Sequence, residues 1–303
     1  MRNYINILWG LGAVLAIAVT LTAAAAPGCS SCVGGGSGGT WSSGIAFIGA
    51  SAEASTRMDK GSSTSAAGSP EQIPPSSMIT ARALYEDQLG DKRWAMAYVG
   101  VPGDDSYIEG SIHLPLDQVF NAEGSLKSPE EIAAIFGAAG ISEDDPLVIY
   151  GDNFVNGYDT FAFWVMKYLG HQDVRLLEGT RGGREAAGLK FVENPAPRAA
   201  ETYNPDPNLD LLASADDLAD LQLVDPRTAA EYNAGHLEGA INIDYTRVMG
   251  SSGLATSQAL AQAFRGLDKD ERVVVYSSKG GLASIVWYAL AAQGFDASLL
   301  VLG

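Results

Sequence analysis

Ser277, Ser278, Lys279, Gly280 and Gly281 form the stretch whose residue types point most directly to chemistry. Hydroxyls, a cation and two glycines in succession suit a loop whose backbone N–H groups face one small concavity. At the start of a helix such a loop holds an anion, because unsatisfied N–H groups and the helix dipole place partial positive charge there. Ser277 is also an oxygen nucleophile, but hydrolytic use of it requires a general base. Of the three histidines, His113, His171 and His236, only His236 is a candidate, and no two are spaced as metal ligands. The two cysteines, Cys29 and Cys32, make a C-x-x-C pair. A redox pair of this kind needs its first thiol at a helix start inside a β-α-β unit. Glycines at 34–36, 38 and 39 follow immediately and cannot hold a helix, so the redox reading fails there.

The elements that must position the loop are legible on both sides of it. Val273, Val274, Val275 and Tyr276 predict a buried strand running into Ser277. Beyond Gly281, Leu282, Ile285, Val286, Ala289 and Leu290 recur at helical spacing until Gly294 stops the pattern. Strand, tight glycine loop and helix in that order is an α/β arrangement.

The chain has 303 residues, 47% of them hydrophobic, enough for two domains with packed cores. Its net charge of −17 argues against nucleic acid as a partner and against a polybasic membrane patch. With both cysteines ahead of any folded region, no core disulfide and no cysteine-rich metal site are expected, and no metal or cofactor is expected elsewhere.

Residues 1–28 carry Arg2 and then an uncharged apolar run from Ile5 to Ala26. That is the pattern of a secretory signal, and the run has about the 20 residues that span a bilayer. Small residues directly before Cys29 resemble a bacterial lipoprotein signal, in which that cysteine is lipidated. An uncleaved anchor or ordinary cleavage near the alanines are the alternatives; all three place the folded part outside the cytoplasm, and the lipid-anchored reading places it in the cell envelope. Residues 29–77 are rich in Gly, Ser, Ala and Thr and predict a disordered tether. A tether of that length has an r.m.s. reach of roughly 35–40 Å.

A first folded domain is expected over 78–197. It contains helices at 81–89 and 159–169, strands at 94–101, 146–150 and 174–177, and a capping box at Ser128-Pro129-Glu130-Glu131. A second is expected over 198–303, with a helix starting at Ser214 and a strand at 221–224 running into Asp225-Pro226-Arg227. The alternation predicts parallel sheets flanked by helices. The two domains look like copies, pairing Tyr107 with Tyr232, Gly110 with Gly235, Tyr150 with Tyr276 and Gly170 with Gly294. On that pairing Ser111 stands opposite His236. The second copy reaches Gly303 without its last helix, so either that helix is missing or the sequence continues.

These stretches resemble the tandem-domain rhodanese family, the thiosulfate and mercaptopyruvate sulfurtransferases. The family's Asp-x-Arg, Glu-Tyr and Gly-His-Ile-Pro-Gly-Ala-x-Asn are similar to Asp225-x-Arg227, Glu231-Tyr232 and the run from Gly235 to Asn242. Its active-site Tyr-Cys falls on Tyr276-Ser277, its loop glycines on Gly280 and Gly281, and its frequent Arg on Leu282. The resemblance implies two rhodanese-like α/β domains, with Asp225, Arg227 and His236 as motif residues and His236 in a structural turn. It also implies that no catalytic residue remains, since serine carries no transferable persulfide. The expectation is an inactive envelope lipoprotein that binds or assembles a complex. Rival readings are a sulfurtransferase with an unusual nucleophile and a structural spacer. The loop itself reads either as a pocket for a small anion or docking protein, or as idle.

Overall fold

The computed structural model describes residues 77–90, 92–100, 107–152, 154–218, 221–251, 253–278 and 280–302. The expected signal segment, the tether up to residue 76 with Cys29 and Cys32, and Lys279 lie outside the described residues. The described residues all fall within one compact unit. Among the described residues no helix is long and apolar enough to cross a membrane.

The first half of this unit contains a five-stranded sheet built from β1 (Met78–Ile79), β2 (Ala95–Tyr98), β4 (Ile112–His113), β5 (Leu147–Tyr150) and β6 (Val174–Leu177). Its order is β1-β6-β5-β2-β4, and every pairing is parallel. A small antiparallel pair, β3 (Tyr107–Ile108) with β7 (Phe191–Val192), stands beside it. The second half has β8 (Gln222–Asp225), β9 (Ile241–Asn242), β10 (Val273–Ser277) and β11 (Ala297–Val301) in the order β11-β10-β8-β9, again all parallel.

Helices form where caps and apolar spacing agree. The helix α1 (Ala81–Leu89) starts on Thr80, whose side chain accepts from the Ala83 N–H. In α2 (Pro129–Ala138) the expected capping box is complete: Ser128 accepts from the Glu131 N–H and Glu131 from the Ser128 N–H. Such a cap contributes about 1 kcal/mol. The helices α3 (Tyr158–Tyr168) and α7 (Gly281–Ala292) differ from these. Each starts from a glycine in the left-handed region, Gly157 at φ 70° and Gly280 at φ 77°, without a side-chain cap. Both are apolar nearly all round and press against each other in the middle of the unit. Phe163 meets Tyr288 edge-on at 5.2 Å, and one apolar cluster runs continuously from the first sheet to the second. The remaining helices are α4 (Arg181–Ala186), α5 (Ala229–Ala234) and α6 (Ser257–Ala263).

Three expectations change. The strand expected at 94–101 is confined to Ala95–Tyr98. Ser214 does cap, accepting from the Asp216 N–H, but only a 3-10 turn follows, Ala215–Asp217. The pairing between halves also shifts. In strand register Tyr98 lies opposite Tyr150 and His113, while Asp225 lies opposite Asn242 beside the Tyr276 strand. His113 therefore corresponds to Asn242, which places Gly110 on Gly239, Ser111 on Ala240 and Tyr107 on His236. Gly110 and Gly239 share the left-handed conformation, at φ 89° and 79°. The first half is two residues shorter between Tyr98 and Gly110 than the second is between Asp225 and Gly239, so a constant offset misaligned this motif. The pairings of Tyr150 with Tyr276 and of Gly170 with Gly294 are unaffected.

The segment after the first half is not a loose linker. Glu201, Asp206 and Asn208 donate backbone N–H groups to the carbonyls of Gly137, Leu169 and Tyr168. Arg198 grips Asp145 with two hydrogen bonds, and the Tyr203 hydroxyl meets His171 Nδ1 at 3.1 Å.

Candidate functional site

The strand β10 delivers Ser277 to the carboxyl rim of the second sheet, where open α/β sheets place ligands. Val273, Val274 and Val275 are fully buried and tie the strand to β8 and β11, so its end is held from both sides. The Ser277 carbonyl accepts the Leu302 N–H at 3.1 Å. Its Oγ turns back and accepts the Gly280 N–H at 2.9 Å. One of the loop's own donors is thus satisfied by the loop's own hydroxyl. The first helical bond of α7 runs from the Ser284 N–H to the Gly280 carbonyl at 2.7 Å. Ser278 lies in the same bend, between β10 and Gly280.

Beneath the loop is a buried charged framework. Asp225 is fully buried and accepts from the Tyr276 hydroxyl at 2.8 Å, and from the Arg227 side chain at 2.6 Å and 3.0 Å. Arg227 also donates to the Gly235 carbonyl at 2.6 Å, and Tyr276 Oη accepts the Leu237 N–H at 3.1 Å. Burial works to raise the Asp225 pKa, but hydrogen bonds from Arg227 and Tyr276 outweigh it and hold the carboxyl below the usual range. The motif residues Asp225 and Arg227 therefore lock the Gly235–Leu237 turn to the end of β10. Arg227 uses its Nε and Nη2 donors on this lock.

His236 is not brought to Ser277. Its Nδ1 lies 2.9 Å from the Tyr232 carbonyl, an acceptor only, so Nδ1 carries the proton. Its ring stacks on Tyr232 at 3.8 Å between centroids. Both contacts hold the ring within its own Tyr232–His236 turn. Among the described residues no three acidic, histidine or cysteine side chains group as a metal site.

The first half repeats the framework with different chemistry. Tyr150 Oη accepts the Ile108 N–H at 2.7 Å, as Tyr276 does that of Leu237, but donates to Ser111 Oγ at 2.8 Å. Burial pushes the Tyr150 pKa up to about 12. The cation comes from elsewhere: Arg184, itself buried, donates to the Gly151 carbonyl at 2.8 Å and the Leu177 carbonyl at 3.0 Å. Seven positions separate Tyr150 from the left-handed Gly157, against four between Tyr276 and Gly280.

The second-half loop faces the first half directly. A methyl group on Gly280 would overlap the Phe161 ring, and one on Gly157 would overlap the Gly281 carbonyl. Thr160 Oγ1 and Ser284 Oγ, both fully buried, meet at 2.8 Å, and each also reaches the Gly157 carbonyl. Sequence reading missed Thr160, Ser284, Phe161, Asp159 and Arg184. The first two left a signal, a hydroxyl inside an otherwise apolar helix pattern.

Comparison with known proteins agrees with this architecture. Residues 208–303 match the rhodanese-like domain family. A putative thiosulfate sulfurtransferase of Saccharopolyspora erythraea is 28% identical over 213 residues, 62% of this chain and 75% of that one. The thiosulfate sulfurtransferase of Corynebacterium glutamicum is 27% identical over 247 residues, 68% of this chain and 82% of that one. In fold the chain is similar to the 3-mercaptopyruvate sulfotransferase SseA from Escherichia coli. The TM-score is 0.67 at 21% identity, over 74% of this chain and 97% of that one. The chain therefore carries a rhodanese-like domain, with thiosulfate- and mercaptopyruvate-sulfurtransferase-like proteins as its homologues and fold neighbours.

Proposed function

We propose that this protein uses a sulfurtransferase fold for binding rather than for sulfur transfer, with the loop of Ser277, Ser278, Lys279, Gly280 and Gly281 taking a small anion. One observation carries the reading: at the end of β10 stands a hydroxyl hydrogen-bonded to the Gly280 N–H, and among the described residues no histidine or carboxylate is hydrogen-bonded to it. Persulfide chemistry needs a thiolate there, and a serine hydroxyl ionises far too weakly to replace it. Ser277 thus takes the nucleophile's position without its reactivity. Lipidation of Cys29, a tether and a role in an envelope complex complete the proposal, and they rest on the sequence.

A cyanide–thiosulfate assay on the purified full chain tests the central claim. No thiocyanate above the protein-free rate is expected, and steady turnover overturns it. Ser277→Cys should alkylate readily, its thiol pKa lowered by the helix start below the free value of about 8.5. It should still turn over thiosulfate poorly until Leu282→Arg restores a cation. Mass spectrometry of the mature N-terminus should show a diacylglyceryl Cys29, and an unmodified terminus ends that part. The names of the relatives favour a second reading, a sulfurtransferase with an unusual nucleophile. The same assay decides between them.

A further inference from the structure

The seam between α3 and α7 holds a carboxyl group that the loop's chemistry does not use. Asp159, in the first turn of α3, is 3% exposed. Its Oδ1 accepts the N–H of Thr160 at 2.9 Å, and among the described residues no cation lies within ion-pair distance of it. Arg184 of α4 faces it, but that guanidinium is spent on the carbonyls of Gly151, Leu177 and Glu178. The other titratable groups around it are Tyr288 of α7, and Tyr150 and Asp152, which act on the same Arg184. A buried carboxylate with so few donors is poorly compensated for its lost hydration.

Thr160, whose N–H binds that carboxyl, is also the residue whose hydroxyl meets Ser284 in the first turn of α7. Ser284 in turn donates to the Gly281 carbonyl at 2.7 Å, at the foot of the loop. A hydrogen-bonded path therefore leads from Asp159 to the start of α7. We infer that Asp159 is a protonation-sensitive pin in this seam: neutral, it lets α3 seat against α7 and hold the first turn of α7, and charged, it loosens that seating.

The titration of the group agrees with the geometry. Burial raises its pKa from 3.8 to about 6, against the smaller opposing effects of the Thr160 N–H and Arg184. Folding therefore takes up a proton between those values. The contribution to stability is fully present below the lower one and is lost as pH rises through the upper one. This is opposite in sign to the carboxylates held low by partners, such as Asp225.

The test is thermal unfolding of the full chain at pH 5 and pH 8, wild type against Asp159→Asn. The amide keeps an oxygen for the Thr160 N–H and carries no charge. The variant should melt higher than wild type at pH 8, by roughly 5 °C for a two-unit shift in a chain of this size. The difference should fall to roughly half at pH 5, between the two values, and vanish only below the lower one. Amide exchange of residues 280–284, corrected for intrinsic rates, should be faster in wild type at pH 8 than at pH 5 and independent of pH in the variant. Should the variant fail to fold, carboxyl carbon NMR of wild type must show one aspartate titrating near pH 6. Equal pH dependence in both proteins, an unchanged exchange difference at 280–284, or no such aspartate overturns the inference.

Discussion

The two halves solve one positioning problem with the same bond and different charges. In each, a tyrosine at the end of a central strand accepts the N–H of a residue two positions before a left-handed glycine: Ile108 before Gly110, Leu237 before Gly239. That bond holds a turn to the sheet rim. In the second half the tyrosine donates onward to Asp225, which Arg227 neutralises two residues later. In the first it donates to neutral Ser111, and the cation, Arg184, arrives from a later helix to hold a carbonyl. The geometry of the rim is shared, whereas its charge is not. Among the described residues a carboxylate–guanidinium lock beside a short glycine loop is found in the second half, and that loop is where a ligand is proposed.

The largest expected effect breaks the lock. Asp225→Ala leaves Arg227 and the Tyr276 hydroxyl without their buried partner and should cost about 3–5 kcal/mol, read as a fall in melting temperature. The wild-type contribution is present at neutral pH and lost as pH falls through the depressed Asp225 pKa. Stability of the alanine variant should therefore depend less on acidification, and equal acid slopes would remove the lock from the comparison.

Next comes the seam. Gly157→Ala forces an alanine to a positive φ and sets its methyl against the Gly281 carbonyl, whereas Gly280→Ala, also at positive φ, meets a side chain, the buried Phe161 ring stacked on Phe120 and Trp164, rather than backbone. Strain of that φ alone is about 1–2 kcal/mol. Both variants should be destabilised, Gly157→Ala by more, with a total of roughly 3 kcal/mol in denaturant titration. The reverse order would show that the seam yields at its backbone rather than at the ring.

The tyrosines give a smaller and more pointed contrast. Tyr150→Phe and Tyr276→Phe each strand a backbone N–H, at about 1–2 kcal/mol. Tyr276→Phe also removes a donor from Asp225. Its extra loss should disappear when Asp225 is already alanine, which a double-mutant cycle measures. Smallest is Ser277→Ala. It frees the Gly280 N–H, and stability should change by about 1 kcal/mol or less. If the loop takes an anion, sulfate affinity should change more than stability does.

Much of this was legible beforehand because it is local. The capping box at Ser128 and Glu131 names its own partners three residues apart, and it formed as read. Four β-favouring residues before a glycine pair fixed β10 and the start of α7. The helix expected from Ser214 shows the limit of a cap read alone: Ser214 accepts the Asp216 N–H, and only the 3-10 turn Ala215–Asp217 follows. The pairing of halves failed because a two-residue shortening between Tyr98 and Gly110 leaves no mark in composition. Only the hydrogen-bonded register of β4 and β9 exposes it.

The sequence by itself determined the alternation of strands and helices, the parallel sheets that follow from it, and the place of Ser277 at a strand end. These depend on spacing within a few residues, where backbone geometry leaves few choices. The tertiary structure alone decided that Ser277 binds Gly280 rather than His236, and that Arg184 serves the first half's rim. It also decided that Asp159, Thr160 and Ser284 share one buried seam. Thr160 and Ser284 are 124 positions apart, and no propensity or period carries information over that distance. They meet because two nearly all-apolar helices must bury each other, and the hydroxyls within them then have only one another and the local carbonyls to satisfy.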